Sequence, residues 1–262
     1  MPTSIFPSRP PENFSQVAPP IRAIIGNTME TLAQGARALG LALSPSQIEQ
    51  FEIYYRELVD WNRRLSLTTI VDYLGVQTRH FLDSLSAAPA LGKGTERVID
   101  IGSGAGFPGL PLKVLLPSLN LVLLESLSKK TVFLNHLLTR LGIEGVEVLT
   151  ARAEDVAHLP GYRECFDAVL GRALAPLPVM AELALPLARI GGRVIAHKKG
   201  DISTEVSTSA RAIGLMGGRL LDISEVGLPG LPGHCLVVME KVSPTPERYP
   251  RRAGMPAKRP IM

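Results

Sequence analysis

The 262-residue chain predicts an α/β protein built on a mostly parallel seven-stranded sheet, with a helical extension ahead of it. Two observations carry this. After Arg97 short apolar runs alternate with amphipathic segments, the pattern of strands joined by right-handed crossover helices on a sheet covered on both faces. Before Arg97 the apolar positions instead recur at helical spacing.

Residues 1–20 hold six prolines and little apolar patterning, which predicts an extended, poorly ordered leader. Residues 21–62 fit two helices, broken near Gly40 and restarted after Ser44-Pro45, where serine caps and proline takes the first turn. A third helix spans about 72 to 86, before the loop GKGTE. The α/β rhythm then runs RVIDIG, a helix over 108–116, NLVLLE, a helix over 128–141, VEVLT and a short helix after Ala153. It continues with FDAVLG, a helix near 177–189, RVIAHK, a helix near 202–215, RLLDISEV, and HCLVVMEKV at 234–242. The connection VGLPGLPG between the last two strands is too short and too rich in Pro and Gly for a crossover helix, so they should pair antiparallel. The expected organisation is a leader (1–20), a helical region (21–92), an α/β domain (93–243) and a basic tail (244–262).

No apolar run approaches the roughly 18 residues of a membrane span, and no secretory leader is expected, which leaves the cytoplasm as the default. Cys165 and Cys235 form no C-x-x-C, so neither a disulfide framework nor a zinc site is indicated, and no metal is expected. The net charge of +4 is concentrated after Glu240: six basic residues there face one acid, and the rest of the chain is nearly neutral. Such a tail reads either as a separable arm for a polyanion, RNA first, with Arg248, Arg251 and Arg252 as candidate contacts, or as a solvated appendage.

VIDIGSGAGFPG, residues 98–109, ends the first strand in four glycines within eight positions. Gly102, Gly104 and Gly106 let backbone amides approach a ligand without Cβ interference. The overlapping set Gly104, Gly106, Gly109 imitates a dinucleotide fingerprint, so a nicotinamide-dependent oxidoreductase is one reading. Asp100 argues against it, since an anion there is badly placed for a pyrophosphate and well placed for a cationic amino acid moiety. Glu125, closing the second strand, is positioned to accept hydrogen bonds from ribose hydroxyls. After the third strand, Ala153 and Glu154 reach the same edge, where a backbone amide and an acidic side chain suit an adenine edge. A seven-stranded sheet with a terminal antiparallel pair is also the Rossmann-like architecture shared by S-adenosylmethionine-dependent methyltransferases.

DIGSGAGFPGLPLKVLLP, LLESLSKKTVFL, ARAED and GRALAPL, with YYRELVDWNRRLSLT and RHFLDSL upstream and RYPRRAGMPAKRPI downstream, resemble the RsmG/GidB family. The likeness covers roughly residues 45–262, and Ser66 departs from it where an asparagine is expected. It implies S-adenosylmethionine-dependent methyl transfer to N7 of a guanine in small-subunit (16S) ribosomal RNA. The partner implied is that rRNA or the ribosomal subunit, and a monomer is expected. By resemblance Gly102, Phe107, Ala153, Glu154 and Arg172 contact the cofactor; Arg172, closing the fourth strand, needs an anionic partner such as the cofactor carboxylate or an RNA phosphate. His80, Asp83 and Lys198 are candidate lining residues for the target base, and no catalytic residue is assigned. The fourth strand is followed by GRALAP rather than the N/D-P-P-Y of exocyclic-amine methylation, and neither cysteine sits where a C5 nucleophile is needed. N7 has a free in-plane lone pair, so alignment suffices. A noncatalytic RNA-binding protein is the third reading.

Overall fold

The computed structural model describes residues 29–262; the proline-rich leader lies outside the described residues. The helical region begins with α1 (Glu30–Ala38) and α2 (Pro45–Asn62). Ser44 and Gln47 form a reciprocal capping box with Pro45 in the first turn, an arrangement worth about 1 kcal/mol to the helix. The third helix is composite: α3 (Tyr73–Val76), a π-helical stretch over Gln77–Leu82, and α4 (Asp83–Leu85). Such wide turns recur at functional sites, and this one carries His80.

The sheet has the order β3-β2-β1-β4-β5-β7-β6, with β1 Arg97–Ile101, β2 Asn120–Glu125, β3 Val146–Thr150, β4 Phe166–Arg172, β5 Ala188–Lys199, β6 Gly218–Glu225 and β7 His234–Lys241. The first five strands are parallel. The terminal pair is antiparallel as expected, and β7 inserts between β5 and β6, antiparallel to both. Five helices follow in the α/β part: α5 (Gly109–Leu115), α6 (Ser128–Leu141), α7 (Ala153–Val156), α8 (Leu177–Ala184) and α9 (Ser203–Leu215). The helix expected to reach residue 189 stops at Ala184, because Pro186 lacks the N–H and sterically excludes a further turn. The chain ends in α10 (Met255–Lys258).

Residues alternate between two cores across the sheet. Val98, Leu121, Leu123, Leu170 and Ile195 face the helical region, α5 and α6, packing with Tyr54, Phe81 and Phe133. Ile99, Ile101, Val122, Leu124, Val169 and Val194 face α7, α8 and α9. Burial on both faces is what a parallel sheet requires. The strand order reverses between β1 and β4, which puts the glycine loop at the crevice where open α/β sheets bind ligands. Among the described residues no helix is long and apolar enough to cross a membrane, and no group of three or more His, Cys, Asp or Glu side chains is placed to hold a metal.

Candidate active site

The glycine loop is a backbone turn fixed from below. Gly102 and Ser103 both donate to the Leu124 carbonyl, at 2.8 and 3.1 Å, and Gly104 donates to Glu125 Oε2 at 3.0 Å. The glycines divide into two kinds. A Cβ at Gly104, whose φ is +59°, would meet nothing closer than the Gly102 carbonyl at 3.9 Å, so this face is open to a ligand. A Cβ at Gly106 would fall 2.6 Å from the buried Tyr54 hydroxyl, and one at Gly109 would fall 2.9 Å from Asp100. The bareness of Gly106 therefore serves packing against α2, whatever its backbone offers a ligand. Gly102 lies under Leu174, whose Cδ1 stands 2.5 Å from where its Cβ would be.

Asp100 is fully buried, and its Oδ2 accepts from the Gly109 amide at 2.8 Å, pinning β1 to the start of α5. Burial pushes its carboxyl up to about 7. Asp100 Oδ1 and Ser103 Oγ are both buried without a protein partner, so the loop has polar capacity that its own fold does not use. Glu125 Oε1 accepts from Leu127 N at 2.9 Å, and Lys130 lies 3.7 Å from Oε2. These contacts set the orientation of a carboxylate that still has lone pairs for hydroxyl donors.

Beside the loop, Arg172 leaves the end of β4 and donates to the Arg79 carbonyl at 2.9 Å, to Asp83 Oδ2 at 3.0 Å and to His80 Nδ1 at 3.0 Å. A guanidinium only donates, so His80 Nδ1 must accept; its Nε2 then carries the proton toward Thr68 Oγ1, 2.8 Å away. Burial and the Arg172 charge together push the imidazole down to about 3. Phe107 is sandwiched: Tyr54 stacks on it at 5.2 Å, His80 at 4.5 Å, and the Arg172 guanidinium carbon lies 4.9 Å from its ring centre. Asp83 Oδ1 faces His234 Nδ1 at 2.9 Å, and His197 Nε2 reaches the Asp83 carbonyl at 2.9 Å. Burial raises the Asp83 carboxyl, but His197, Arg172 and His234 outweigh it and hold it below the usual range.

A family model described as rRNA small subunit methyltransferase G matches residues 47–236. The chain belongs to that family. A ribosomal RNA small subunit methyltransferase G of Dehalococcoides mccartyi is 52% identical over 235 residues, covering 89% of this chain and all of the relative. One from Roseiflexus sp. (strain RS-1) is 51% identical over 233 residues, with the same coverage. A solved structure of an MtNAS mutant in complex with S-adenosylmethionine superposes with TM-score 0.50 at 19% identity, over 82% of this chain and 78% of that one, a likeness of fold. None of these matches supports the nicotinamide-dependent alternative.

In this chain the expected site residues fall into groups. Gly102, Gly104, Glu125, Ala153 and Glu154 lie along the carboxyl edge of the sheet, at or just after the ends of β1, β2 and β3. Phe107 is 5% exposed, its ring occupied by Tyr54, His80 and Arg172, so it holds the loop against the helical region. Within the protein, the anion facing Arg172 is Asp83, with Nη1 3.0 Å from Oδ2. His80 and Asp83 are joined through Arg172 and have no direct hydrogen bond. Lys198 donates to the Ala175 carbonyl at 2.8 Å and to Glu205, which also accepts from Leu177 N.

The basic tail is folded onto the α/β core rather than standing away from it. Arg163 donates to the carbonyls of Thr245 and Tyr249 at 2.8 and 2.9 Å, and His158 Nε2 to that of Pro250 at 2.8 Å. Arg251, read as an RNA contact, forks onto the buried Glu182, with Nε 2.8 Å from Oε1 and Nη2 2.6 Å from Oε2. Arg248 and Arg252 stay exposed, as do Lys258 and Arg259. The residues that sequence reasoning missed are Thr68, His197, His234 and Glu182. Each is tied to the site by topology, and no local pattern marks it.

Proposed function

We propose that the chain transfers the methyl group of S-adenosylmethionine to N7 of a guanine in small-subunit ribosomal RNA, acting as a cytoplasmic monomer on the rRNA or the subunit. The observation that carries this is the open loop face at Gly104, flanked by Glu125 and by two buried polar atoms without partners. The relatives' common name supplies the substrate class. When bound, the cofactor supplies an electrophilic methyl group on a sulfonium. Gly102 and Gly104 let the backbone approach it, Glu125 takes the ribose hydroxyls, and Ala153 with Glu154 holds the adenine end. The stacked set Tyr54, Phe107, His80 and Arg172 fixes the loop so that the target base meets a rigid floor.

The protonation states favour N7 over a proton-bearing acceptor. His80 has both ring nitrogens committed and stays neutral, Asp83 has both oxygens paired, and Asp100 is sealed beneath the loop. No side chain in this set is available to remove a proton. The single-turnover rate at saturating RNA and cofactor should therefore be flat from about pH 6 to 9. Asp100 titrates near 7, and a cationic ligand over the loop favours its ionised form, so cofactor affinity should rise across the same range. A saturated rate climbing about tenfold per pH unit through neutrality would mean that a base acts and that the acceptor is another atom.

The exposed cations of the C-terminal segment, Arg248, Arg252, Lys258 and Arg259, are the proposed RNA phosphate contacts. Replacing Arg252, Lys258 and Arg259 with glutamine should flatten the log–log salt dependence of RNA binding by about 0.7–0.9 for each phosphate no longer neutralised. Cofactor affinity should not change. An unchanged slope would exclude these side chains from the interface.

A further inference from the structure

Glu154 Oε1 accepts a hydrogen bond from the backbone amide of Gly254, 2.9 Å away and 100 residues later. That amide belongs to a closed segment. Arg251 enters it by donating its own backbone N–H and its Nε to Glu182 Oε1, at 2.9 and 2.8 Å. Its Nη2 then bridges Glu182 Oε2 at 2.6 Å and the Arg259 carbonyl at 2.8 Å. One guanidinium thus fastens the segment to α8 and ties residue 251 to residue 259, with Gly254 held between them. Glu182 is fully buried, and Arg163 fastens the preceding stretch through the carbonyls of Thr245 and Tyr249. Gly254 has φ +80° and opens α10, so its N–H direction is set by this closure.

We propose that Arg251 is a positioning residue for the cofactor site: by closing the 251–259 segment it aims the Gly254 amide at Glu154 and holds that carboxylate in place for the adenine end. This rests on the reading of Glu154 given under Proposed function. A bidentate fork on a buried carboxylate restricts the segment far more than a solvated tail would. The same segment exposes Arg252 and Lys258 on either side of Gly254. Contact of RNA with those cations then steadies the Glu154 anchor, and by linkage cofactor and RNA each tighten the other.

The test is a double-mutant cycle on the full-length protein, read by calorimetric binding of S-adenosylmethionine, with thermal unfolding to confirm that each variant is folded. E154A should weaken binding about tenfold. R251A should weaken it by a similar factor, and the E154A/R251A double variant should bind no worse than E154A, because Arg251 acts through that carboxylate. R251K keeps a charge against Glu182 but loses the fork, so it serves if R251A fails to fold, and it should fall between R251A and the intact protein. Additive losses, or R251A and R251K with unchanged affinity, would reduce Arg251 to a structural contact and overturn the proposal. If E154A binds normally, Glu154 is misassigned and the proposal falls with it. Failure of the intact chain to bind S-adenosylmethionine at all would instead sink the methyltransferase reading itself.

Discussion

Arg172→Ala is expected to destabilise the protein by about 3–5 kcal/mol, the usual cost of removing one partner from a buried ion pair. Total stability of a domain is only about 5–15 kcal/mol, so the variant should unfold at much lower denaturant. The cause is local: Asp83 keeps His234 but loses its guanidinium, the Arg79 carbonyl loses its donor, and Phe107 loses the cation over its ring. Titration offers a second readout. In the intact protein His80 sits at about 3 against an ordinary 6.5, so the unfolded chain takes up a proton between those values. Its contribution to stability falls as pH drops through that window. His197, at about 4, behaves alike, while Asp100, raised to about 7, acts in the opposite direction between about 4 and 7. Without Arg172 the His80 midpoint should rise, measurable by NMR of the imidazole, and its acid-sensitive window should narrow. An unchanged midpoint together with a stability loss under about 1 kcal/mol would show that the contact is solvent-screened.

Gly104→Val should abolish cofactor binding while the fold persists. The Cβ meets no protein atom within 3.9 Å, so no core contact is broken. A β-branched residue at φ +59° is nonetheless strained by roughly 1–3 kcal/mol, and its branches project into the open face. A free loop that relaxes this strain must take it up again to bind, so overpacking costs of about 1–3 kcal/mol against a ligand, at 1.4 kcal/mol per tenfold, add to it and give a loss of about 100-fold or more. Gly106→Val provides the contrast, since its Cβ would collide with Tyr54 in the core; that variant should lose thermal stability first. Calorimetry and thermal melts on the pair separate ligand space from packing. Equal S-adenosylmethionine affinity in Gly104→Val and the intact protein would remove the loop from the cofactor site.

The element order is legible because it is written in short-range physics. Periodicity marks the seven strands, Ser44-Pro45 marks the start of α2, and the run of glycines after Ile101 marks the turn at the end of β1. The short Pro- and Gly-rich connection VGLPGLPG marks the antiparallel pair. Apolar periodicity overruns one boundary although a stop signal is present in the sequence: Pro186 ends α8.

The amino-acid order by itself determined the fold class and the placing of the glycine loop, Glu125 and the Ala153-Glu154 pair at or just after the ends of β1, β2 and β3, since each depends on residues only a few positions apart. Tertiary structure alone decided which anion Arg172 faces, what Gly106 makes room for, and where the tail lies. Asp83 meets Arg172 across 89 residues and His234 across 151, and Gly254 reaches Glu154 across 100. A charge in the sequence states that a partner is needed, but the partner is chosen by which strand ends and helix turns the topology brings within about 3 Å. Charge counting therefore found the basic tail but not the partner of Arg251, whose guanidinium pairs with a carboxylate that only the folded chain places beside it.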